Sequence, residues 1–342
     1  MSELILKTDF GKSRIYVPGK IGSLQDLVPI DSTVILADAN VLKYYSERIK
    51  QFPVISIPPG EESKSLESYA GVFQKMLDLN VDRSWYLVGI GGGITTDLAG
   101  FVASTFFRGI RFGFVSSTLL GQVDAAIGGK NGINYKGFKN LIGIIQQPEF
   151  VLCDTSLLKT LPKREFIGGF AEIIKYAFIR RDDLYLYLLD HLPAALDFDE
   201  QVLEYLVRES VRTKLDIVTR DEFETGERKL LNFGHTFGHA LEKLYGISHG
   251  EAVSIGMMMA AKTSNNLGMI KSDIPFKLED LLLKAGLPVW FDYDAEQMAE
   301  AMSKDKKRKR DGMHLVLLQG IGNAVIGEIP INDLKIILND LR

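Results

Sequence analysis

The stretch NFGHTFGHALEKLYGISHGEAV, Asn232 to Val253, holds three of the five histidines in the chain. A side chain used so sparingly and then clustered points to metal or proton chemistry. His235 and His239 stand four residues apart, which puts both on one face of a helix, and His249 can fold back toward them from the start of the next. Such a group can hold a divalent ion; the plainer alternative is a set of core histidines satisfied by backbone. The zincin arrangement H-E-x-x-H is excluded, because H-T-F-G-H has no glutamate beside its first histidine. A metal site wants a further ligand, typically a carboxylate. Glu172 in GGFAEIIK is the candidate, three residues before Lys175 and so on the same helix face.

A second set of residues suits a nucleotide. The run SWYLVGIGGGITTDLAGFVAS passes from strand to helix through Gly91, Gly92 and Gly93 and carries Asp97. Glycines there let the backbone approach a pyrophosphate while helix N-terminal amides face its charge, although a tight turn wants glycine too and the match to G-x-G-x-x-G is only partial. Asp38 and Asn40 follow the strand STVILA, and PPGEESKS supplies Glu61 and Lys64 after another strand, where polar groups meet a ribose at the carboxyl edge of a sheet. Then come Arg108 in FFRGIRF; Ser117, Thr118, Asp124 and Lys130 in SSTLLGQVDAAIGGKNGIN; and Lys139 and Asn140 in FKNLIG. Singly, each basic residue reads as a solvated surface charge. As a set they suit a pocket for a phosphorylated polyol. Lys214, Arg228 and Asn232 add two cations and an amide to the histidine half.

Positioning these groups requires two kinds of scaffold. Through about residue 158, β-rich runs (SRIYV, STVILAD, PVISIP, SWYLVGI, RFGFVSS, EFVLCD) alternate with helical stretches, which predicts an α/β domain with a mostly parallel sheet over 1–158. Long amphipathic segments dominate 159–342 and predict a helical domain, with MHLVLLQGIGNAVIGEI as a small hairpin before a last helix. The cleft between such halves is the expected ligand site. With 40 basic and 44 acidic side chains, a formal charge of −4 offers no general attraction to nucleic acid or anionic membrane. A single cysteine, Cys153, forms no internal disulfide. No apolar run approaches the ~18 residues of a membrane span and no signal peptide is evident, so a cytoplasmic protein is expected.

With these residues in place, the chain strongly resembles the 3-dehydroquinate synthase family of the sugar phosphate cyclase superfamily. The likeness runs from about Asp38 to the IGN near residue 323, carried by GGGxxxDLAGF, LLGQVDAAIGGK, GFAEIIK and NFGHTFGHA. It implies a Rossmann-like N-terminal domain, an α-rich C-terminal domain and a homodimer. It also implies conversion of 3-deoxy-D-arabino-heptulosonate 7-phosphate to 3-dehydroquinate and phosphate in the shikimate pathway. In that reaction NAD+ oxidises a substrate hydroxyl transiently, phosphate is eliminated, the hydride returns, and an aldol step closes the ring.

By resemblance, Glu172, His235 and His249 are the ligands of a divalent metal, zinc or alternatively cobalt, and His239 faces substrate. Asp38, Asn40, Glu61, Lys64, Gly92, Gly93, Asp97, Ser117, Thr118 and Thr160 would serve NAD, with Lys139 near the nicotinamide. Asp124, Lys130, Asn140 and Lys175 would be catalytic with His239, positioning substrate hydroxyls and phosphate, and the first three would also border the cofactor. Lys214 and Arg228 would meet the substrate carboxylate. Asn232, His239 and a lysine of the DKK motif, Lys306 or Lys307, would bind phosphate, with Arg108 arriving from the partner subunit. Ser117 stands where the family often has threonine, and NYKGFKN around Tyr135 replaces a commoner His-Pro-Leu-Gly-Lys-Asn pattern. The alternatives are a sister cyclase, whose sugar phosphate substrates lack a carboxylate, a metal-dependent polyol dehydrogenase, which would accumulate NADH, and a non-enzymatic nucleotide-binding protein.

Overall fold

The computed structural model describes residues 2–9, 11–305 and 312–341. They divide into two compact units: Met1–Pro162 with Leu203–Phe223, and Lys163–Val202 with Glu224–Arg342. The sequence suggests a single crossing after residue 158; in the structure the segment Leu203–Phe223 also groups with the first unit.

In the first unit the strands are β1 (Ser2–Thr8), β2 (Gly11–Val17), β3 (Thr33–Asp38), β4 (Val54–Ile57), β5 (Tyr86–Gly91), β6 (Arg111–Ser116), β7 (Lys130–Tyr135), β8 (Phe138–Ile145) and β9 (Phe150–Cys153). Among the described residues seven of them form one sheet in the order β1-β2-β9-β6-β5-β3-β4. All its neighbours run parallel except β1 and β2, which pair antiparallel at one edge. The central strands β3 and β5 are apolar on both faces, as a sheet covered on two sides requires. Helices α1 (Ala39–Ile49), α2 (Leu66–Asp78) and α3 (Gly93–Thr105) make the crossovers. From β3 the chain turns outward to β4, and from β5 it proceeds the other way to β6. The carboxyl ends of β3 and β5 therefore flank a topological switch point, the place where open α/β sheets bind ligands. Strands β7 and β8 form a separate antiparallel hairpin.

The second unit begins with α4 (Lys163–Ile179) and α5 (Asp182–Leu196). Helix α6 (Glu200–Arg220) starts there and continues into the segment that belongs to the first unit. After it come α7 (His235–Tyr245), α8 (His249–Asn266), α9 (Asp273–Lys284) and α10 (Ala295–Asp305), then the hairpin β10 (Met313–Gly320) and β11 (Asn323–Ile329), and α11 (Leu334–Asp340). The stretch RKLLNFGHTFGHALEKL, which reads as one amphipathic segment, is broken: a 3-10 turn over Glu227–Asn232 ends before Gly234, whose left-handed φ of 80° stops one helix and starts α7. Helices α4 and α8 are buried on almost every face. Charged groups on them must therefore find partners or ligands. No helix among the described residues is long and apolar enough to cross a membrane.

Candidate active site

In the first unit the nucleotide candidates gather at the carboxyl edge of the sheet. Asp38 ends β3 and caps α1: one carboxylate oxygen accepts from the Val41 amide at 3.0 Å, and the other receives the Thr95 hydroxyl at 3.4 Å. Gly92 is the N-cap of α3. A Cβ there would stand 2.9 Å from the Thr118 methyl, so only glycine lets the turn after β5 lie against the turn after β6. Lys64 and Asp97 form a nearly buried ion pair. Burial pushes the Asp97 carboxyl up, against the pull of the Lys64 ammonium. The Ser117 amide donates to the Gly91 carbonyl, and Thr118 Oγ1 accepts from the Gly121 amide. Thr160 Oγ1 lies 2.8 Å from the Tyr45 hydroxyl in the turn after β9. Asn40 is exposed on α1.

The polyol-phosphate candidates of this unit fall on the hairpin and on a turn. Lys130 opens β7, and Lys139 and Asn140 are exposed on β8. The hairpin is tied to the sheet edge: Asn134 donates to Glu61 at 2.8 Å through its side chain and to the Lys64 carbonyl at 2.8 Å through its amide, and its side-chain oxygen accepts from the Asn140 amide. Lys214 reaches from α6 to Asp124, donating to its carboxylate at 2.6 Å and its carbonyl at 2.8 Å. Arg108 is exposed, and both it and Phe107 hold positive φ, 67° and 50°.

The second unit assembles the histidines. Glu172 comes from α4, His235 is the first residue of α7, and His249 the first of α8. Each offers a ligand atom within 4.8 Å of the others. Their meeting depends on glycine: a Cβ on Gly250 would overlap the backbone of Gly168, so α8 can cross α4 at this distance only without one. Glu172 is 1% exposed. Neither of its oxygens accepts a hydrogen bond of good geometry. Lys175 nonetheless pairs with one oxygen, while His235 Nε2 and His249 Nε2 stand 3.3 and 3.5 Å from the other. The ring orientations are fixed from behind. A carbonyl only accepts, so the contact of His235 Nδ1 with the Phe233 carbonyl at 3.1 Å puts a proton on Nδ1 and turns Nε2 toward Glu172, where it could serve as a ligand.

The three groups are coupled electrostatically. Burial alone would raise the Glu172 carboxyl, but the charge of Lys175 and the two imidazoles close beside it hold it well below the usual carboxylate range. Burial would lower the His249 imidazole, yet Glu172 and Glu242 push it up to about 10. A buried carboxylate lacking good hydrogen bonds, facing two imidazole Nε2 atoms, is the donor set of a three-ligand metal centre with a position left open for substrate. These residues fit a zinc-type ion.

His239 lies beside this group without joining it: its ring centre is 5.4 Å from that of His235, and it falls into an alternative set with Glu242 and His249. Arg228, 1% exposed, sits on the 3-10 turn before α7, where Arg180 pairs with Glu227 at 3.0 Å. Asn232 donates to Glu224, a residue in the left-handed region at φ 60°. Glu224 and Glu242 escape notice in the sequence, since an acidic residue in DEFETGE or LEKL reads as surface charge. Lys306 and Lys307 lie outside the described residues.

The family models for the 3-dehydroquinate synthase N-terminal and C-terminal regions match residues 54–168 and 169–308. The 3-dehydroquinate synthase of Rhodopirellula baltica is 41% identical over 311 residues, which is 87% of this chain and 83% of that protein. Among solved structures, 2-deoxy-scyllo-inosose synthase complexed with carbaglucose-6-phosphate, NAD+ and Co2+ superposes with a TM-score of 0.88 at 26% identity, covering 99% of this chain and 100% of that one. A 2-epi-5-epi-valiolone synthase from Streptomyces hygroscopicus with NAD+ and Zn2+ bound has a TM-score of 0.88 at 26% identity, covering 100% of this chain and 99% of that one. Matched by both halves of one family and aligned with a curated relative over most of its length, the chain belongs to the 3-dehydroquinate synthase family.

Proposed function

We propose that the chain converts 3-deoxy-D-arabino-heptulosonate 7-phosphate into 3-dehydroquinate and phosphate, using NAD+ and a divalent metal ion. The observation that carries the reading is the three-ligand set of Glu172, His235 and His249 in a member of this family. Support for the cofactors comes from the related cyclases that hold NAD+ with Co2+ or Zn2+. When bound, NAD+ supplies a reversible hydride acceptor and the metal supplies Lewis acidity toward the hydroxyl being oxidised.

The chain's own residues bind and orient. Asp38, Glu61, Lys64, Asp97 and Thr118 are the residues that would hold the dinucleotide at the switch point, and the amino end of α3 at Gly92 and Gly93 would meet its pyrophosphate. Ser117, Asn40, Thr160 and Lys139 would also serve the dinucleotide. Lys175, in a buried ion pair with Glu172, would donate to a substrate oxygen. Arg228 and Lys214 take the carboxylate, which separates this substrate from sugar phosphates without one. Asn232, His239 and one of Lys306 or Lys307 meet the phosphate, and Asp124, Lys130 and Asn140 hold hydroxyls.

The reading includes a cytoplasmic homodimer in which Arg108 serves the partner's site. Its support is the strained turn that displays Phe107 and Arg108 together: two successive non-glycine residues at positive φ cost free energy that needs a return elsewhere. The test is direct. The protein, supplied with NAD+ and Zn2+, should release phosphate from the heptulosonate phosphate and form 3-dehydroquinate with no net NADH. Phosphate release from glucose 6-phosphate instead would move the assignment to a sister cyclase, and steady NADH accumulation to a dehydrogenase.

A further inference from the structure

Glu242 stands on α7 three residues beyond His239, with its side chain only 7% exposed. One carboxylate oxygen lies 3.2 Å from His249 Nδ1. The same imidazole directs Nε2 at Glu172, 3.5 Å away. His249 is therefore held between two carboxylates, one at each ring nitrogen. Its backbone is held as well. Ser248 and Glu251 form a capping box at the start of α8, and Arg164 binds Glu251 through both of its terminal oxygens. With the chain entry fixed there and Nδ1 fixed by Glu242, the ring has little freedom to turn away from the ion site.

We propose that Glu242 is a positioning residue for the metal: it keeps the proton of His249 on Nδ1 and so presents Nε2 as the ligand. The inference rests on the assignment of Glu172, His235 and His249 to the ion. His235 has the corresponding support from the Phe233 carbonyl. The two supports differ in charge. A carbonyl is neutral, whereas the Glu242 carboxylate adds a negative charge behind the ring and strengthens the imidazole as a donor to a cation. Glu242 thereby offsets Lys175, whose positive charge lies against Glu172 and opposes a divalent ion. A second ion shared by His239, Glu242 and His249 Nδ1 is the competing geometry. It requires His249 to lose its Nδ1 proton and Glu242 to give up the hydrogen bond, so the positioning role is favoured.

The experiment is a titration of metal-free protein with Co2+, read by its visible absorption and by competition with a chelator, on the parent and on Glu242→Leu, Glu242→Gln, Glu172→Gln and His249→Ala. The parent is expected to take one equivalent. Glu242→Leu should still take one, with affinity lowered about 10- to 100-fold and an altered absorption band. Glu242→Gln should fall between, since its amide oxygen still accepts from Nδ1–H but carries no charge. In the His249→Ala background, adding Glu242→Leu should cost nothing further, because the effect passes through His249. Circular dichroism of the metal-free variants shows whether the fold is kept, and Glu242→Gln carries the test if the leucine variant is unfolded. Unchanged affinity in Glu242→Leu and Glu242→Gln overturns the proposal, as does an equal loss with and without His249. A parent that takes two equivalents, only the second sensitive to Glu242, overturns it in favour of a separate ion. Parent-like affinity in Glu172→Gln fails the ligand assignment itself.

Discussion

Gly250 on α8 lies directly against Gly168 on α4, so close that a methyl group on Gly250 has no place to go. Glu172 sits one helical turn beyond Gly168, and His249 immediately precedes Gly250. The backbone contact thus sets the separation between two ligands of the candidate ion. Gly250→Ala should push the helices apart, costing about 1–3 kcal/mol in stability and weakening Zn2+ binding far more than a core substitution of equal stability cost elsewhere. Paired measurements of urea unfolding and Zn2+ affinity check this. Zn2+ affinity equal to that of the parent would remove Gly250 from the account of the site.

Lys214 and Asp124 are joined by two hydrogen bonds across 90 residues of sequence. Lys214→Met should destabilise the protein by roughly 2–4 kcal/mol, toward the low end because the Asp124 side chain is 21% exposed. Most of that cost is the carboxylate left without its cation. The double variant Asp124→Asn/Lys214→Met should then be less destabilised than the two single variants added together, as read from denaturant unfolding. Simple additivity would mean that the pair is not coupled in the folded protein.

These two contacts illustrate what the sequence reveals and what it hides. The parallel sheet is legible because β3 and β5 are largely apolar runs ending in aspartate and glycine, and the histidine cluster is legible because a rare residue type repeats at helical spacing. The hairpin β7–β8 is not: apolar and polar residues do not alternate along FKNLIGII, and in the structure β8 has no buried face that would impose such a pattern. Strand β1, at the sheet edge beside β2, is hidden for a different reason: its apolar residues Leu4, Ile5 and Leu6 are consecutive and do not alternate with polar ones. Nothing local in α6 tells that Leu203–Phe223 groups with the first unit, because the bonds involved, Lys214 to Asp124 and Gln147 to Glu222, span 90 and 75 residues. Glu242 has its meaning only through a ring seven residues away that returns on another helix.

At the amino ends of β5 and β9, opposite the nucleotide edge, Tyr86 donates its hydroxyl to Glu149, and burial together with that bond pushes the phenol up to about 12. A group whose value is raised on folding adds stability that is whole below its unfolded value of about 10 and is lost as pH rises toward 12. Tyr86→Phe should therefore cost about 1–3 kcal/mol at pH 7 to 9, the range for a hydrogen bond to a charged group. The gap between variant and parent should narrow as pH climbs past 10. Denaturant unfolding at stepped pH measures it, and a gap that widens with pH has the wrong sign.

The last prediction separates the three histidines. His235 and His249 each direct Nε2 at Glu172, whereas His239 is exposed and its ring stands apart from that carboxylate group. His235→Ala and His249→Ala should each lose most bound metal, since two remaining protein ligands hold a divalent ion poorly. His239→Ala should keep one equivalent of metal and bind NAD+ normally, yet use the phosphorylated substrate weakly, because in the proposed site its imidazole faces the phosphate. Elemental analysis of the purified variants gives the metal content, and protein fluorescence titration gives NAD+ affinity. If His239→Ala loses metal as fully as His235→Ala while His249→Ala retains it, the ion belongs to the H-x-x-x-H pair on α7, and Glu172 with His249 would have to be reassigned to substrate.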